Sequence, residues 1–594
     1  MMLPQHFFSD LQRADSLNLF TIPSGQPFLR TLARDLLQRY ASDPSGLSDV
    51  TIYLPTRRSV RALMDAFLEA RPAGKAAILL PLIRTLGDLD EEAVPPAQMM
   101  ALENELPRPM SATTRRLSLA QFVMRAAKNG HVARAGWDMA LASADELAGL
   151  LDSFYAEDIS FETLKNLVPE RYAGHWDATL QFLKVVTEQW PDYLEQNTAS
   201  DPAAYRRDLI EAYRCSIDPV EGGQPPKHPI IIAGSTGSMP AVARLMRTVA
   251  GLPNGFVILP GLDLETDEQA WEQIEDPHPQ AGLKHLLDTH FNDISRSDVR
   301  LWPGCDKAST DRHKLLSLVL RPAEATADWL VQLDRFTSGA SLVKALEGVS
   351  LVEADTSYAE AKAVAMAMRE TLTHPDRSAL LVTPDRELAR RVSLILERWN
   401  ITVDDSAGVP FANTPCGNYL RLVITWLVDP SHPVSLLALL KHPLCRAGFG
   451  AAEWYKLVSE LDLRLRGLRP GAGFDGLRSR CAGGQEWDAL DTAEDEPQGG
   501  QRTIQAVSDQ AQALLDRLEE IARFVQRKDQ SVEAFLAGHL QAAEQLAATV
   551  DEDGRQRLWS GTDGEAGAAF MRSLYENTDL MPDLGLEEYA DGFP

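Results

Sequence analysis

Short apolar runs alternate with amphipathic helical segments along the first part of the chain. Residues 18–39 contain a strand-like run, a tight Pro-Ser-Gly turn and a helical segment. The run from Asp49 to Leu54 is also β-rich, ends at Pro55, and precedes a segment with apolar residues on one helical side. Ala77 to Leu80 repeats the apolar strand run and ends at Pro81. This alternation of strands with helices predicts a parallel α/β sheet.

The pattern becomes helical alone between about Thr113 and Tyr213. Its helical segments are Leu117 to Lys128, Ala144 to Tyr155 and Ala178 to Leu194. We interpret this block as a helical subdomain inserted into the α/β domain. Beyond the Pro/Gly-rich stretch Asp218 to Pro229, strand runs resume at Pro229 to Ala233 and at Gly255 to Leu259.

A second α/β pattern follows, and the chain is helical again beyond Pro430. Its strand runs are Val349 to Glu353, Ser378 to Val382 and Ile401 to Val403, separated by helical segments Tyr358 to Leu372 and Glu387 to Trp399. The predicted fold class is therefore α/β, with two parallel-sheet domains and all-helical subdomains. The predicted bounds are 1–112 with 214–345 for the first α/β domain, 113–213 for its inserted helical subdomain, 346–430 for the second α/β domain and 431–594 for a second helical subdomain.

Composition and charge narrow the class of protein. The chain has 594 residues, of which 44% are hydrophobic and 24% charged, so it is long enough for about three or four domains. No apolar run approaches the roughly 18 residues of a membrane span, and the N-terminal residues do not resemble a signal peptide. These features predict a cytoplasmic protein without a membrane partner. The net charge of −27 argues against nonspecific coating of nucleic acid but is compatible with a local basic channel.

The five cysteines indicate neither a disulfide framework nor a metal site. They are odd in number, lie far apart and form no C-x-x-C motif. We expect them to be buried or inactive thiols.

The turn from Pro23 to Gly25 lies where a P-loop would bind phosphate. In a P-loop a lysine reaches the phosphates and a Ser/Thr hydroxyl binds magnesium. If Ser24 and Gly25 are the last turn residues, Gln26 replaces the lysine and Pro27 replaces the hydroxyl. Neither side chain can supply that chemistry, although Pro27 suits the first position of a helix. The sequence predicts a strand-turn-helix without a catalytic cation.

Ligands of open α/β sheets bind at the carboxyl ends of the strands. The turn at Pro23 to Gly25 and the loop at Pro55 to Arg58 are therefore expected to share one crevice. Arg57 and Arg58 either contact a ligand there or form an ordinary solvated start of a helix.

A glycine loop, Gly234 to Ser238, follows the strand run that ends at Ala233. A strand, such a loop and a helix suit a phosphate or sugar-nucleotide, but the same sequence also suits a structural tight turn. It matches no complete phosphate-binding fingerprint. The acidic residues that follow are interpreted as a solvated loop rather than a metal site: Asp263, Glu265, Asp267 and Glu268.

Several stretches resemble the B subunits of AddAB-type helicase-nucleases in their alphaproteobacterial form. They are FTIPSGQPFL, DVTIYLPTRRSVRALMDAFLEA, LLPLIRTLGDLDEE, PIIIAGSTGSMPAVARLM, LPGLD and SALLVTPDRELARRVSLILERWNITVDDSAGVPF, and the resemblance extends from about Leu19 to Arg446. It implies a superfamily 1 helicase-like fold with two RecA-like domains. It also implies a role in processing double-stranded DNA ends for recombinational repair, with an A subunit as partner and with double-stranded ends and single strands as DNA ligands.

The resemblance assigns lost catalytic roles to residues of three motifs. The P-loop lysine and hydroxyl correspond to Gln26 and Pro27, the Walker B carboxylates to Ala233 and Gly234, and the motif IV arginine to about Thr383. Because phosphoryl transfer needs these charges, we expect no ATPase activity.

The resemblance also indicates a DNA contact. Thr56, Arg57 and Arg58 occupy the motif Ia position, where related helicases touch the backbone of a single strand. Related B subunits continue into a nuclease domain with metal-binding carboxylates and a four-cysteine iron-sulfur cluster. The cysteines of this chain are not at those positions, so we expect a fragment, a split gene product or a shortened chain, without Mg²⁺ or cluster.

The sequence therefore predicts a catalytically silent, DNA-binding scaffold. Two alternatives remain open: a phosphate- or sugar-nucleotide-handling enzyme that uses Gly234 to Ser238, and a protein-interaction subunit that makes no DNA contact.

Overall fold

A computed structural model describes residues 8, 10–11, 17–71, 78–86, 106–128, 136–161, 163, 184–305, 310–327, 329–339, 342–375, 377–482, 509–525 and 531–593. The strands are β1 (Leu19–Ile22), β2 (Thr51–Leu54), β3 (Leu82–Thr85), β4 (Arg108–Pro109), β5 (Ala199–Ser200), β6 (Ile230–Ala233), β7 (Gly255–Pro260) and β8 (Arg300–Leu301). The helices up to residue 345 are α1 (Phe28–Arg39), α2 (Arg57–Glu69), α3 (Ala112–Lys128), α4 (Trp137–Ala156), α5 (Trp190–Gln196), α6 (Pro202–Ile217), α7 (Pro240–Gly251), α8 (Glu268–Glu272), α9 (Ala281–His290), α10 (Asp311–Val319), α11 (Trp329–Gly339) and α12 (Leu342–Ala345).

The later helices are α13 (Ser357–Thr371), α14 (Arg386–Glu397), α15 (Pro415–Val428), α16 (Pro433–Leu440), α17 (Ala451–Leu465), α18 (Gly473–Ala482), α19 (Asp509–Val525), α20 (Val532–Ala547), α21 (Gly554–Leu558), α22 (Gly561–Tyr575) and α23 (Leu586–Gly592). A π-helical stretch, Val185–Gln189, precedes α5. None of the described helices is both long and apolar enough to cross a bilayer.

Six of the strands form one parallel sheet in the order β3-β2-β6-β7-β1-β8. Successive side chains of each strand point to opposite faces. On one face, residues such as Phe20 and Ile231 pack among side chains of α1 and α2. On the other, residues such as Leu19 and Ile232 pack among α6, α7 and α9. Burial on both faces explains why these strands are continuous apolar runs, and the arrangement is consistent with a RecA-like α/β fold.

The predicted strands β1, β2, β6 and β7 are confirmed, but the strand predicted at Ala77 to Leu80 is wrong. Ala77 lies outside the described residues, and 78–80 are not paired. The strand is β3, which begins after Pro81 with the Leu82 N–H donating to the Val50 carbonyl at 2.8 Å. Ile78 and Leu80 are apolar because they pack against the sheet core. Their composition reflects burial rather than strand pairing.

The helices predicted around Leu117 to Lys128 and Ala144 to Tyr155 are confirmed as α3 and α4, both longer than predicted. Residues 178–183 of the third predicted helix lie outside the described part, and the rest is the π-helical stretch with α5. The helices predicted at Tyr358 to Leu372 and Glu387 to Trp399 are confirmed as α13 and α14. The helical pattern predicted beyond Pro430 is confirmed by described helices such as α16, α17, α19 and α20.

The chain divides into two compact units, residues 1–109, 152–160 and 198–405, and residues 110–151, 161–197 and 406–594. The first unit contains the six-stranded sheet. Helix α6, which the sequence pattern assigns to the inserted block, packs on this sheet through Leu209, Tyr213 and Ile217. The four predicted domains stay a prediction.

The second unit is helical and joins early and late parts of the chain. The Thr114 hydroxyl of α3 donates to Asn577 Oδ1 at 2.8 Å, and the Gln121 amide donates to the Leu580 carbonyl at 2.8 Å. These bonds connect α3 to the turn that follows α22.

The second predicted parallel sheet is not found among the described residues. Helices α13 and α14 pack together, and Leu381, Ile401 and Val403 lie half-buried against them. The predicted strand runs Val349 to Glu353, Ser378 to Val382 and Ile401 to Val403 form no ladder with one another in the described part. Leu380 and Val382 are each 83% exposed. A strand is defined by its main-chain partner, and alternating apolarity alone does not supply one.

Candidate functional site

The turn after β1 has the predicted strand-turn-helix geometry. The buried Thr21 hydroxyl donates to the Leu259 carbonyl at 3.1 Å and accepts from the Leu262 N–H at 3.1 Å, which ties the end of β1 to β7. The Gln26 N–H donates to the Pro23 carbonyl at 3.0 Å and closes the turn. Pro27, the predicted first helical residue, is instead the N-cap of α1, which begins at Phe28. The turn therefore holds neither a lysine nor a hydroxyl at the two positions that a P-loop requires.

An imidazole covers this turn. A Cβ placed on Gly25 would lie 2.4 Å from Nε2 of His313, which belongs to α10. His313 Nε2 is buried and has no hydrogen-bond partner in the described part of the chain. Any side chain at position 25 would collide with this ring. His313 is distant in sequence and carries no local signal that could have predicted its position.

Ala233 and Gly234 end β6, where the family pattern expects two carboxylates. The Gly234 N–H donates to the Ile258 carbonyl at 2.9 Å, and its φ is +76°. A Cβ on Gly234 would lie 3.6 Å from the Phe28 ring and 3.7 Å from Pro55 Cδ. The first residue of α1 therefore places an aromatic ring beside the end of β6.

Thr56 caps α2. Its hydroxyl accepts from the Ser59 N–H at 3.1 Å, and the Ser59 hydroxyl accepts from the Thr56 N–H at 3.1 Å, which completes a capping box. Arg57 is exposed at the first helical position. Arg58 pairs with Asp404 at 2.9 Å, and the two side chains are 48% and 76% exposed. An exposed pair of this kind is weak and is screened by salt.

The crevice predicted to be shared by Pro23 to Gly25 and Pro55 to Arg58 stays a prediction. Both loops follow strands of the same parallel sheet, but β6 and β7 lie between β1 and β2. Three strand spacings separate them, roughly 14 Å. The two loops share an edge of the sheet without being direct neighbours.

A cavity of about 340 Å³ lies beside the turn, between the β7 loop and α10. The Asp263 carboxylate on its wall accepts from the Thr266 and Ser317 hydroxyls at 2.7 Å each. Burial opposes ionisation of Asp263, but these hydrogen bonds outweigh it and hold its pKa below the usual value. Gln280 braces the same loop, since it accepts from the Asp263 N–H and donates to the Gly261 carbonyl, both at 3.0 Å.

The other acidic residues of this region also bind protein donors. Asp267 caps α8 by accepting from the Ala270 N–H at 3.0 Å and pairs with Arg321. Glu268 pairs with Arg296 at 2.8 Å. Within the described ranges, no three His, Cys, Asp or Glu side chains are grouped so as to hold a metal ion. All five cysteines are free thiols.

The glycine loop Gly234 to Ser238 packs tightly against protein. Gly237 has a φ of +63°, and a Cβ there would lie 2.6 Å from Leu286 Cδ1 of α9. The Ser235 hydroxyl accepts from the Gly237 N–H at 3.2 Å. These contacts alone explain why position 237 is occupied by glycine.

The motif IV position also has a local structural role. The Thr383 hydroxyl accepts from the Asp385 N–H at 3.0 Å, in the turn that precedes α14. Arg386 is the nearest arginine in sequence, and it pairs with Asp405 at 2.7 Å.

No family model matches the chain, and no curated protein is significantly similar to it.

Proposed function

We propose that this chain is a catalytically silent, DNA-binding scaffold of an AddAB-type helicase-nuclease. In this proposal it corresponds to the B subunit, acts in the cytoplasm with an A-type subunit, and takes part in processing double-stranded DNA ends for recombinational repair. Its helicase-like character is supported by the parallel sheet with a strand-turn-helix at Pro23 to Pro27. The observation that carries the proposal is a phosphate-type turn without charged groups, covered by His313.

We infer the lack of catalysis from the uncharged residues at the catalytic positions. Phosphoryl transfer depends on positioning and on neutralising the developing charge through lysine, metal and arginine. Gln26, Pro27, Ala233 and Gly234 supply no charge at all. We expect no DNA-stimulated ATPase activity from the purified chain.

The DNA contact in this proposal rests on Arg57 and Arg58. Both are exposed at the start of α2, and a guanidinium pairs with phosphate through a planar fork of donors. The Asp404 carboxylate pairs with Arg58 at 2.9 Å, and a phosphate oxygen can form the same kind of pair. Because that pair is exposed, a DNA phosphate can displace the carboxylate at small cost.

The test is the salt dependence of binding to single strands of several sequences, measured for the complex with an A-type subunit. Replacing Arg57 and Arg58 by Ala should weaken binding to all sequences alike and lower the salt slope by about 0.7 per lost contact. Asp404→Asn should tighten binding, because it releases Arg58. Arg335→Ala with Arg390→Ala is the matched control. Both arginines are exposed in the same unit, and their replacement removes the same two positive charges.

Three different results would each contradict part of the proposal. A slope equal to that of the control would place Arg57 and Arg58 on a solvated face. A loss confined to one DNA sequence would make them base readers. ATP hydrolysis that depends on Gln26 would overturn catalytic silence.

A protein-interaction subunit without DNA contact is the second candidate function. It is favoured by the apolar side chains of Leu351, Leu380 and Val382, all more than four-fifths exposed. Binding of the complex to DNA with an unchanged salt slope in the Arg57 and Arg58 variant would favour this candidate.

A further inference from the structure

The cavity of about 340 Å³ beside the Pro23 to Gly25 turn has the size of a small-ligand site. Such sites have volumes of roughly 300–1,000 Å³, whereas one water molecule needs only about 10–15 Å³ of such space. Leucine and proline side chains form much of the wall, among them Leu262, Leu264, Leu301 and Leu316. An organic molecule with apolar faces therefore suits this cavity.

The Asp263 carboxylate on the wall is saturated by protein donors. It accepts from the Glu265 and Thr266 N–H groups at 2.7 and 3.1 Å. It also accepts from the Thr266 and Ser317 hydroxyls at 2.7 Å each. These four bonds occupy the acceptor positions of a carboxylate. Asp263 therefore shapes the cavity and has no position left for a ligand.

His278 and Arg321, two further polar side chains of the wall, also bind protein. His278 Nε2 lies 2.8 Å from the Leu320 carbonyl, which can only accept, so this nitrogen donates. Its Nδ1 accepts from the Gln280 N–H at 3.0 Å. The Arg321 side chain is 8% exposed and pairs with Asp267. Neither side chain needs a ligand to satisfy these groups.

His313 differs from these side chains. Its Nε2 is buried and has no hydrogen-bond partner within the described ranges, although the residue lines the cavity. The His313 N–H donates to the Thr310 hydroxyl that caps α10, at 3.3 Å, and the ring lies against the Gly25 backbone. A buried polar atom without a partner costs free energy, which a ligand that pairs with it recovers.

We propose that this cavity binds the uncharged ring of a nucleobase, with His313 Nε2 as its hydrogen-bond partner. The apolar wall suits the faces of the ring, and the edge of a base offers donors and acceptors that match either tautomer of the imidazole. A phosphate is disfavoured, because the wall carries the carboxylates of Asp263 and Glu265 and because Arg321 is already paired. This site does not depend on the function proposed above.

The test is calorimetric titration of the full chain with adenosine, adenosine monophosphate and toluene. His313→Leu should weaken adenosine binding about tenfold, because the hydrogen bond to a buried nitrogen is lost. Toluene, which forms no hydrogen bond, should bind this variant no more weakly than the original chain. His313→Gln should keep most of the affinity for adenosine, because its amide supplies both a donor and an acceptor. His374→Leu, at an exposed position in the same unit, is the matched control and should change nothing.

A second variant tests the cavity without altering the imidazole. Leu316→Trp should block adenosine and toluene alike, because the larger side chain fills the space that Leu316 lines. A short deoxyadenosine oligonucleotide separates two sources of the base. Weaker oligonucleotide binding by Leu316→Trp would indicate a base of a DNA strand, and unchanged binding would indicate a free nucleoside.

Three results would overturn the site. They are no adenosine binding up to about 1 mM, equal adenosine affinity of His313→Leu and the original chain, and tighter binding of adenosine monophosphate than of adenosine. Arg57→Ala with Arg58→Ala should leave adenosine binding unchanged, so failure here is distinct from failure of the DNA contact. Circular dichroism checks that each variant is folded, and Leu316→Trp and His313→Gln keep the test valid if His313→Leu is not.

Discussion

His539 is a fully buried histidine of α20 in the helical unit. Its Nε2 lies 2.9 Å from the Leu420 carbonyl, which can only accept, so this nitrogen donates. Nδ1 lies 3.2 Å from the Tyr589 hydroxyl and accepts from it. The neutral ring thus satisfies both partners. Burial lowers the pKa of His539 to about 4, and the hydrogen bond to Leu420 only partly opposes this shift.

This histidine should make the chain less stable in mild acid. In the unfolded chain His539 binds a proton below about pH 6.5, whereas in the folded chain it stays neutral down to about pH 4. The contribution of neutral His539 to the free energy of unfolding is therefore intact above pH 6.5 and is lost as the pH falls toward 4. The loss amounts to about 2 kcal/mol between pH 7 and pH 5. Urea unfolding at both pH values should show a smaller loss for His539→Gln than for the original chain. His374→Gln, at an exposed position, is the control, and an equal loss in both variants would contradict the expectation.

At the scale of elements, the connection from α7 to β7 depends on one glycine. The Leu252 N–H donates to the Val249 carbonyl at 3.1 Å, and the Gly255 N–H donates to the Leu252 carbonyl at 3.1 Å. A Cβ on Gly255 would lie 1.9 Å from the Val249 carbonyl oxygen. Only a residue without a side chain allows β7 to start here and to pair with β1, which carries the candidate turn.

Gly255→Ala should destabilise the sheet by about 3 kcal/mol, because the helix end or the strand must move. Gly149→Ala in α4 is a useful contrast, since nothing lies within 4 Å of its added Cβ. That substitution should be neutral or stabilising by about 0.5–1 kcal/mol. Thermal and urea unfolding of the two variants measure the difference. Equal stability of both would show that the tight turn relaxes freely.

At the scale of the whole molecule, the segments 349–354 and 378–382 carry exposed apolar side chains. Leu351 is 87% exposed, and Leu380 and Val382 are each 83% exposed. The opposite side chains, such as Leu381, lie against α13 and α14. This surface is therefore open to partners and to self-association.

Leu380→Ser with Val382→Ser should reduce binding of a hydrophobic dye and raise soluble yield without loss of stability. Leu381→Ser should instead lower stability by about 1–2 kcal/mol, because its half-buried side chain packs on the helices. Dye fluorescence and urea unfolding of the three chains test this alternation. Similar effects of the inward and outward substitutions would contradict it.

The sequence by itself determined the local elements and the lack of catalytic charge. Apolar runs and helical spacing predicted β1, β2, β6 and β7 and the helices that follow the first three, because side-chain period is set by neighbouring residues. Gln26 and Pro27 are uncharged whatever the fold.

Tertiary structure alone decided which elements meet. It placed two strands between β1 and β2, began β3 after Pro81, and left the runs near Leu380 without ladder partners in the described part. It also set His313 over Gly25. Such contacts join residues far apart in the chain, and their free energy depends on main-chain pairing and packing that no local pattern encodes.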